Sequence, residues 1–384
     1  MYDFDQEVIR KGTNSSKWDS INTKEDLISM SVADMDFKCG DFINNVIEKK
    51  LSEGVYGYSI IPDSYYEAII SWNTKRYNFN IKKEEILFTP SVIHGILYAI
   101  KAITNPKDEI IIQPPVYHRF HEVIERAGCT VVNNPLIYKD NKYFMDFEDL
   151  KKKITSKTKV LILCSPHNPV GRVWTKEELQ KLIDICLEQN IVIISDEIHK
   201  DLIFKDNQHN VLSTVDERIK EKCIITEAPT KTFNLAGFQV SNLIICNKTI
   251  REKVQKVLDD NFINKPNIFA TSVLEAAYNE GEGYLGELNS YIEKNKEYAV
   301  EYFKKYIPHI KVVETEGTYL LWLNCSKLGF NGEELNRFFI DKCKLILNKG
   351  SMFGIEGESF VRMNIACRRS LLKIALENIK NAIK

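Results

Sequence analysis

The stretch TEAPTKTFNLAGF (residues 226–238) decides how the rest of the chain is read. A β-rich run, CIIT (223–226), leads into it, and it contains a small-residue turn, NLAG (234–237). Between them stands Lys231, flanked by Ala228, Pro229, Thr230, Thr232 and Phe233, with no other charge within three positions. Most lysines are solvated surface charges. One held among small and apolar neighbours is partly desolvated, which lowers its pKa and makes the amine a usable nucleophile and base.

Two motifs upstream give that lysine a context. In CSPHNPVGRVWTKEEL (164–179) an apolar strand, VLILC (160–164), runs into a Pro/Asn/Gly turn, and a helix opens at Thr175. Thr175 with Glu178 three residues later forms a capping box. In SDEIHKDL (195–202), Asp196 follows the buried-type strand IVIIS (191–195). It therefore lies at the carboxyl end of a strand, where open α/β sheets place their ligand groups. Taken singly, the first motif reads as an ordinary strand-to-helix loop and the aspartate as a helix cap.

Taken in order, with Asp196 about 28 residues after Asn168 and Lys231 about 35 further on, the motifs resemble fold-type I enzymes of pyridoxal 5′-phosphate (PLP). The resemblance implies that Lys231 holds the cofactor covalently and that Asp196 pairs with the pyridinium nitrogen, keeping the ring an electron sink. It implies that Asn168 hydrogen-bonds the phenolic oxygen, and that His199 occupies the place of a tyrosine that reaches the same oxygen in many relatives. IRKGTNSSKWD (9–19), SVADMDF (31–37), GVYGY (54–58), QPPVYHRF (113–120), EGTYLLWL (316–323) and FVRMNIACRRS (360–370) extend the likeness over essentially the whole chain. They are similar to the MalY/PatB-type branch, the cystathionine β-lyases and related carbon–sulfur lyases within the class I/II aminotransferase superfamily.

Further roles are implied by that resemblance. Gln239, eight residues after the lysine, stands where most aminotransferases place an arginine on the cofactor phosphate, a departure similar to the lyase branch. The phosphate then depends on neutral donors: Thr230, where the family usually carries serine, and the backbone amides of Val92 and Ile93 at a helix start. Ser91 stands where relatives often have glycine. Tyr117 matches the aromatic that stacks on the pyridine ring, and Tyr58 a tyrosine that reaches the phosphate in the neighbouring subunit. Arg362, within an apolar strand, matches the guanidinium that forks onto the substrate carboxylate, a geometry arginine suits best. Arg368 replaces a proline common after this segment.

The implied fold is α/β, the type I fold of PLP-dependent transferases. A mainly parallel sheet of the seven-stranded type forms a large domain beside a smaller α+β domain. Alternating helices and short apolar strands such as EIIIQ (109–113) agree with this. A charged helix (287–306), the strands KVVETE and TYLLWLN, and FVRMNIA then change the pattern near Gly286. The expected division is an amino-terminal arm (1–45) packed on the small domain, a large cofactor-binding domain (46–285) and a small carboxyl-terminal domain (286–384).

The implied activity is β-elimination from cystathionine, cysteine or a similar S-substituted cysteine, releasing thiol or sulfide, pyruvate and ammonia. Lys231 is then the base that removes the Cα proton. The acid for the leaving thiolate is one of Lys231, Tyr58, Tyr117 and His118. Two alternatives stand beside it: an aminotransferase, and a regulatory partner-binding protein with secondary lyase activity. Composition agrees with a soluble enzyme. A chain of 384 residues, 44% apolar and 27% charged, with a net charge of −1, offers no basic groove for nucleic acid and no membrane-length apolar run. Nine scattered cysteines without a CxxC pair, some in apolar strands such as Cys164 and Cys246, read as thiols of a reducing compartment. The opening MYDFDQEV carries no leader pattern. The expectation is therefore a cytoplasmic homodimer with shared active sites, acting on a small amino acid.

Overall fold

The short apolar runs assemble into one sheet. The computed structural model describes residues 2–20 and 27–383. In it seven strands pair: β1 (Ile86–Thr89), β2 (Glu109–Ile112), β3 (Thr130–Asn133), β4 (Thr158–Cys164), β5 (Val192–Asp196), β6 (Cys223–Glu227) and β7 (Ser241–Ile244). Their spatial order is β1-β7-β6-β5-β4-β2-β3. All pairings are parallel except those of β7, which runs antiparallel to β1 and β6. Helices cover both faces, so the central strands are apolar on both. Along β4, Val160, Ile162 and Cys164 enter one core, while Leu161 and Leu163 enter the other.

That second core runs without a break into a smaller antiparallel sheet through Leu321, Leu323 and Val361. The smaller sheet contains β8 (Lys311–Val312), β9 (Leu320–Asn324), β10 (Asn348–Lys349) and β11 (Phe360–Asn364), in the order β8-β9-β11-β10. The run KVVETE contributes only the two residues of β8.

Five helices frame the cavity or brace the elements around it: α1 (Val92–Ile103), α2 (Arg119–Arg126), α3 (Lys176–Glu188), α4 (Pro229–Thr232) and α5 (Glu282–Tyr306). The capping box at α3 forms as expected, with Glu178 N donating to Thr175 Oγ1 at 3.2 Å and Thr175 N to Glu178 Oε2 at 2.9 Å. The charged helix starts at Glu282 rather than Glu287, so the change of pattern near Gly286 falls inside α5. Its two glycines argue for a loop by propensity. Tyr284 and Leu285 are buried between and beside them, however, and that packing overrides the propensity. Cys246 lies two residues beyond β7 and is only half-buried, not part of the strand.

The amino-terminal arm crosses to the carboxyl-terminal strands and back to the lysine loop. Ile28–Ser29 pairs in parallel with Leu345–Ile346, and Asn364 Nδ2 donates to the carbonyls of Val32 and Asp34, each at 2.7 Å. Asn234 then brackets Met35, its Oδ1 accepting from Met35 N and its Nδ2 donating to Met35 O, both at 2.9 Å. Arg368 pairs with Glu7 of the arm. These bonds tie the SVADMDF segment to the NLAG turn that follows Lys231.

A buried ionic clasp joins the loop after β4 to the turn before β9. Arg172 Nε donates to Glu316 Oε2 at 2.8 Å, Val173 N donates to the same oxygen at 2.8 Å, and Arg172 Nη2 reaches Glu178 Oε2 at 2.8 Å. Removing Glu316 takes one of two carboxylates from the buried Arg172 and the acceptor from Val173 N, and breaking into a buried pair is costly. Glu316→Ala is therefore expected to destabilise the protein by about 3 kcal/mol, read as a lower urea midpoint. Glu316→Gln, which keeps one acceptor for Val173 N, is expected to cost less.

Candidate active site

Register brings the motifs together. Cys164 at the end of β4 lies opposite Asp196 at the end of β5, which lies opposite Thr226 in β6. The segments leaving these strands, carrying Asn168, Asp196 and Lys231, therefore emerge side by side at the carboxyl edge of the parallel sheet, where such sheets bind ligands. There a cavity of about 690 Å³ opens. Its walls include Val92, Ile93, Tyr117, Asn168, Asp196, His199, Thr230, Lys231, Gln239 and Arg362. Of the expected site residues only Tyr58 is elsewhere. It is fully exposed, in the irregular segment 54–62 between two helices.

Lys231 occupies the single turn of α4 that follows β6, and its Nζ donates to Ala33 O at 2.6 Å. Burial and the nearby Arg362 cation pull its pKa down to about 8, against the opposing pull of Asp34 and Asp196. Burial pushes the Asp196 carboxyl up to about 7, although the Ile198 amide (3.2 Å) and the Lys231 charge favour its ionised form. No cationic side chain hydrogen-bonds Asp196 among the described residues. An amine half neutral at pH 8 is a much better nucleophile than a surface lysine. In cofactor-free protein, formaldehyde and a borohydride reductant are accordingly expected to methylate Lys231 about tenfold faster than exposed lysines at pH 8. The rate should rise with pH through about 8 and level off above it, as followed by peptide mass spectrometry.

Arg362 on β11 is buried. Its Nη1 donates to Asn168 Oδ1 at 2.9 Å, and Nη2 donates to Asn348 Oδ1 at 2.6 Å and Ser31 O at 3.1 Å. The guanidinium also lies 5.0 Å from the Phe353 ring centroid. No carboxylate of the described residues pairs with it, and Nε has no partner among them. Burial lowers its pKa to about 10, so it stays charged at neutral pH. His199 is driven well below its ordinary pKa by burial and by Lys231 and Arg362. Its ring meets Tyr319 edge-on at 5.8 Å.

At the start of α1, Ser91 has φ −157° and ψ 158°, an extended conformation open to any residue. Serine in place of glycine therefore strains nothing, and its Oγ caps the helix by accepting from His94 N at 3.3 Å. The Val92 and Ile93 amides belong to the first turn, whose N–H groups have no intrahelical acceptor.

Sequence reasoning missed the groups that hold these residues. The Ala33 carbonyl receives both Lys231 and the Tyr319 hydroxyl (3.0 Å), and Ser31 O and Asn348 position Arg362. Two of these are backbone oxygens, which leave no mark in residue type. The only signal was the SVADMDF segment. Behind the site, Asp201 Oδ2 accepts from Thr232 Oγ1 at 2.9 Å, anchoring the residue next to Lys231.

A lysine and a carboxylate at the ends of parallel strands, with an arginine from the smaller sheet converging on the same cavity, fit a known class. It belongs to the aminotransferase class I and II family, whose model matches residues 25–379. Among its relatives, the cystathionine β-lyase PatB of Bacillus subtilis is 37% identical over 384 residues, covering 99% of each chain. Cystalysin from Treponema denticola, solved with a pyridoxal 5′-phosphate cofactor, is 35% identical with a TM-score of 0.96, covering 100% of this chain and 99% of that one. A PLP-bound protein from Clostridium difficile, provisionally called an aminotransferase, is 42% identical with a TM-score of 0.98 over the whole of both chains.

Proposed function

We propose that the protein is a PLP-dependent carbon–sulfur β-lyase acting on S-substituted cysteines. The observation that carries this is the convergence of Lys231, Asp196 and Arg362 on one cavity, in a chain 37% identical to a cystathionine β-lyase. The cavity suits the cofactor. A buried carboxylate awaits a cationic partner, free amides at the start of α1 await an anion, and the Tyr117 ring walls the space between. When bound, PLP supplies an electron sink for the charge left as the Cα proton departs.

The chain's own residues would do the rest. Arg362 would fork onto the substrate carboxylate, held in line by Asn168 and Asn348. With its Oδ1 occupied by Arg362, Asn168 would offer Nδ2 to the phenolic oxygen, with His199 on the same side. Asp196 would hold a proton on the ring nitrogen, and an ionised partner there favours its own charged form. Val92 N, Ile93 N, Thr230 and Gln239 would hold the phosphate. Lys231, as neutral amine, would take the proton from Cα. The leaving sulfur then needs an acid. Burial and Asp196 raise the Tyr117 pKa, so the phenol keeps its proton, whereas burial lowers that of His118, leaving it a poor donor at neutral pH.

The site would be completed by a second copy of the chain, with Tyr58 reaching the partner's phosphate. Supporting this, Leu51, Val55, Tyr56, Tyr58 and Ile60 form an exposed apolar strip, and such patches mark interfaces. The working division remains an arm (1–45), a large domain (46–285) and a small domain (286–384). All nine cysteines are free thiols, and no helix of the described residues is long and apolar enough to cross a membrane. The free thiols support a cytoplasmic setting.

Product analysis without a keto-acid acceptor tests the activity. Equal amounts of pyruvate and thiol from an S-substituted L-cysteine are expected. The second reading, an aminotransferase, is favoured by the likeness to the Clostridium difficile protein. Amino transfer to an added keto acid, with no pyruvate in its absence, would establish it instead.

A further inference from the structure

The cavity wall does not end at Tyr117. It continues along one face of α2, where Arg119, Glu122, Val123 and Arg126 all line the same space. Their spacing of three, four and seven residues puts them on one helical stripe, with Val123 at its edge, buried in the same core as Phe120 and Ile124. Arg119 pairs with Glu122 at 2.5 Å, both half-exposed. Arg126 has no ion pair among the described residues. Two guanidinium groups against one carboxylate leave this rim positive. Across the opening, Ile93 and Leu97 of α1 give an apolar wall.

The rim is electrically close to the reacting end. The Tyr117 hydroxyl feels Asp196 and Arg362 from within, and Arg119 and Glu122 from outside. From Arg119 to Arg126 the helix rises about 10 Å, so the two cations cover a range of depths. A substrate anchored at Arg362 would run its sulfur substituent past the apolar wall of Ile93, Leu97 and Val123. The far end would arrive at the arginines.

We propose that Arg119 and Arg126 form a specificity subsite for a carboxylate on the sulfur substituent, so that the favoured leaving groups are mercapto-carboxylic acids rather than alkyl thiols. This rests on the β-elimination reading. A carboxylate docking there replaces part of Arg119's bond to the exposed Glu122, which is weak in water, with a charge-assisted bond in a less solvated cleft.

The test separates the subsite from the chemistry. Thiodipropionate and propylthio-propionate both lack the amine and cannot react, and they differ only in the distal carboxylate. By calorimetry on the holoenzyme, thiodipropionate is expected to bind about tenfold more tightly. That ratio should fall towards one in the R119Q/R126Q double variant and at high salt. Equal affinities in the wild type, or a ratio unchanged in the variant, would overturn the subsite. In parallel, kcat/KM is compared for S-carboxyethyl-L-cysteine and S-propyl-L-cysteine. Elimination from both at equal rates sinks the subsite and leaves the lyase. Elimination from neither, with selective binding retained, sinks the lyase and leaves the subsite.

Discussion

Replacing Lys231 with alanine is expected to lower kcat/KM for an S-substituted cysteine by about 10³-fold or more, measured as pyruvate release by protein saturated with PLP. A positioned general base contributes about 10²–10⁴-fold, and no other amine of this chain lines the cavity among the described residues. Two controls make the result specific. The variant should retain Asp196, Arg362 and the α1 amides, so it should still bind the cofactor, only without a covalent link. Its fold should hold. At pH 7 a largely protonated, partly desolvated ammonium is removed, and the Ala33 carbonyl keeps the Tyr319 hydroxyl as donor. The cofactor-free variant is therefore expected to unfold at no lower urea concentration than the wild type. A variant with pyruvate release within tenfold of wild type would show that the lysine is not the base.

How much of this site could be read from residues alone depends on what kind of atom does the work. Asn168, Asp196 and Lys231 were legible because each follows an apolar run that ends abruptly, and adjacent parallel strands in register bring such ends together. Thr230 adjoins the lysine in the same motif, whereas Tyr117 and the α1 amides were legible through the family resemblance; all of them line the cavity. The grip of Ala33 and Ser31 on Lys231 and Arg362 was not, because a carbonyl oxygen is the same in every residue. The α2 rim was hidden for another reason. Arg119 and Arg126 look like any solvated helical face until the cavity is seen to extend along it. The early start of α5 escaped because two glycines argue for a loop, and only the burial of Tyr284 and Leu285 reverses that. Tyr58 lies outside the cavity of its own chain and is fully exposed, so nothing in a single copy assigns it a role.

Arg362→Leu is expected to lower kcat/KM by about 10²–10³-fold, chiefly through a raised KM, because truncating one partner of a desolvated charge pair costs about 2–5 kcal/mol. The argument rests on what surrounds the guanidinium. It is buried beneath Phe353, and its described partners are the neutral acceptors Asn168, Asn348 and Ser31. Burying a cation without a counter-charge is unfavourable, and burial alone already draws its pKa down to about 10. That placement, with Nε left without a partner among the described residues, favours reading Arg362 as the anchor for an anion that arrives from outside. Leucine fills a similar volume and removes the buried charge but orphans the Asn168, Asn348 and Ser31 acceptors, so the cofactor-free variant should still fold while losing the substrate. Arg362→Lys should recover only part of the loss, since an ammonium cannot make the two parallel bonds of a guanidinium fork. It also cannot reach Asn168 and Asn348 at once with the same geometry. The discriminating measurement is the affinity of a simple unreactive carboxylate. Propylthio-propionate binding should weaken in Arg362→Leu in the same proportion as kcat/KM falls. A fall in kcat/KM with that affinity unchanged would assign Arg362 to the arrangement of Asn168 and the cofactor, and not to the substrate carboxylate.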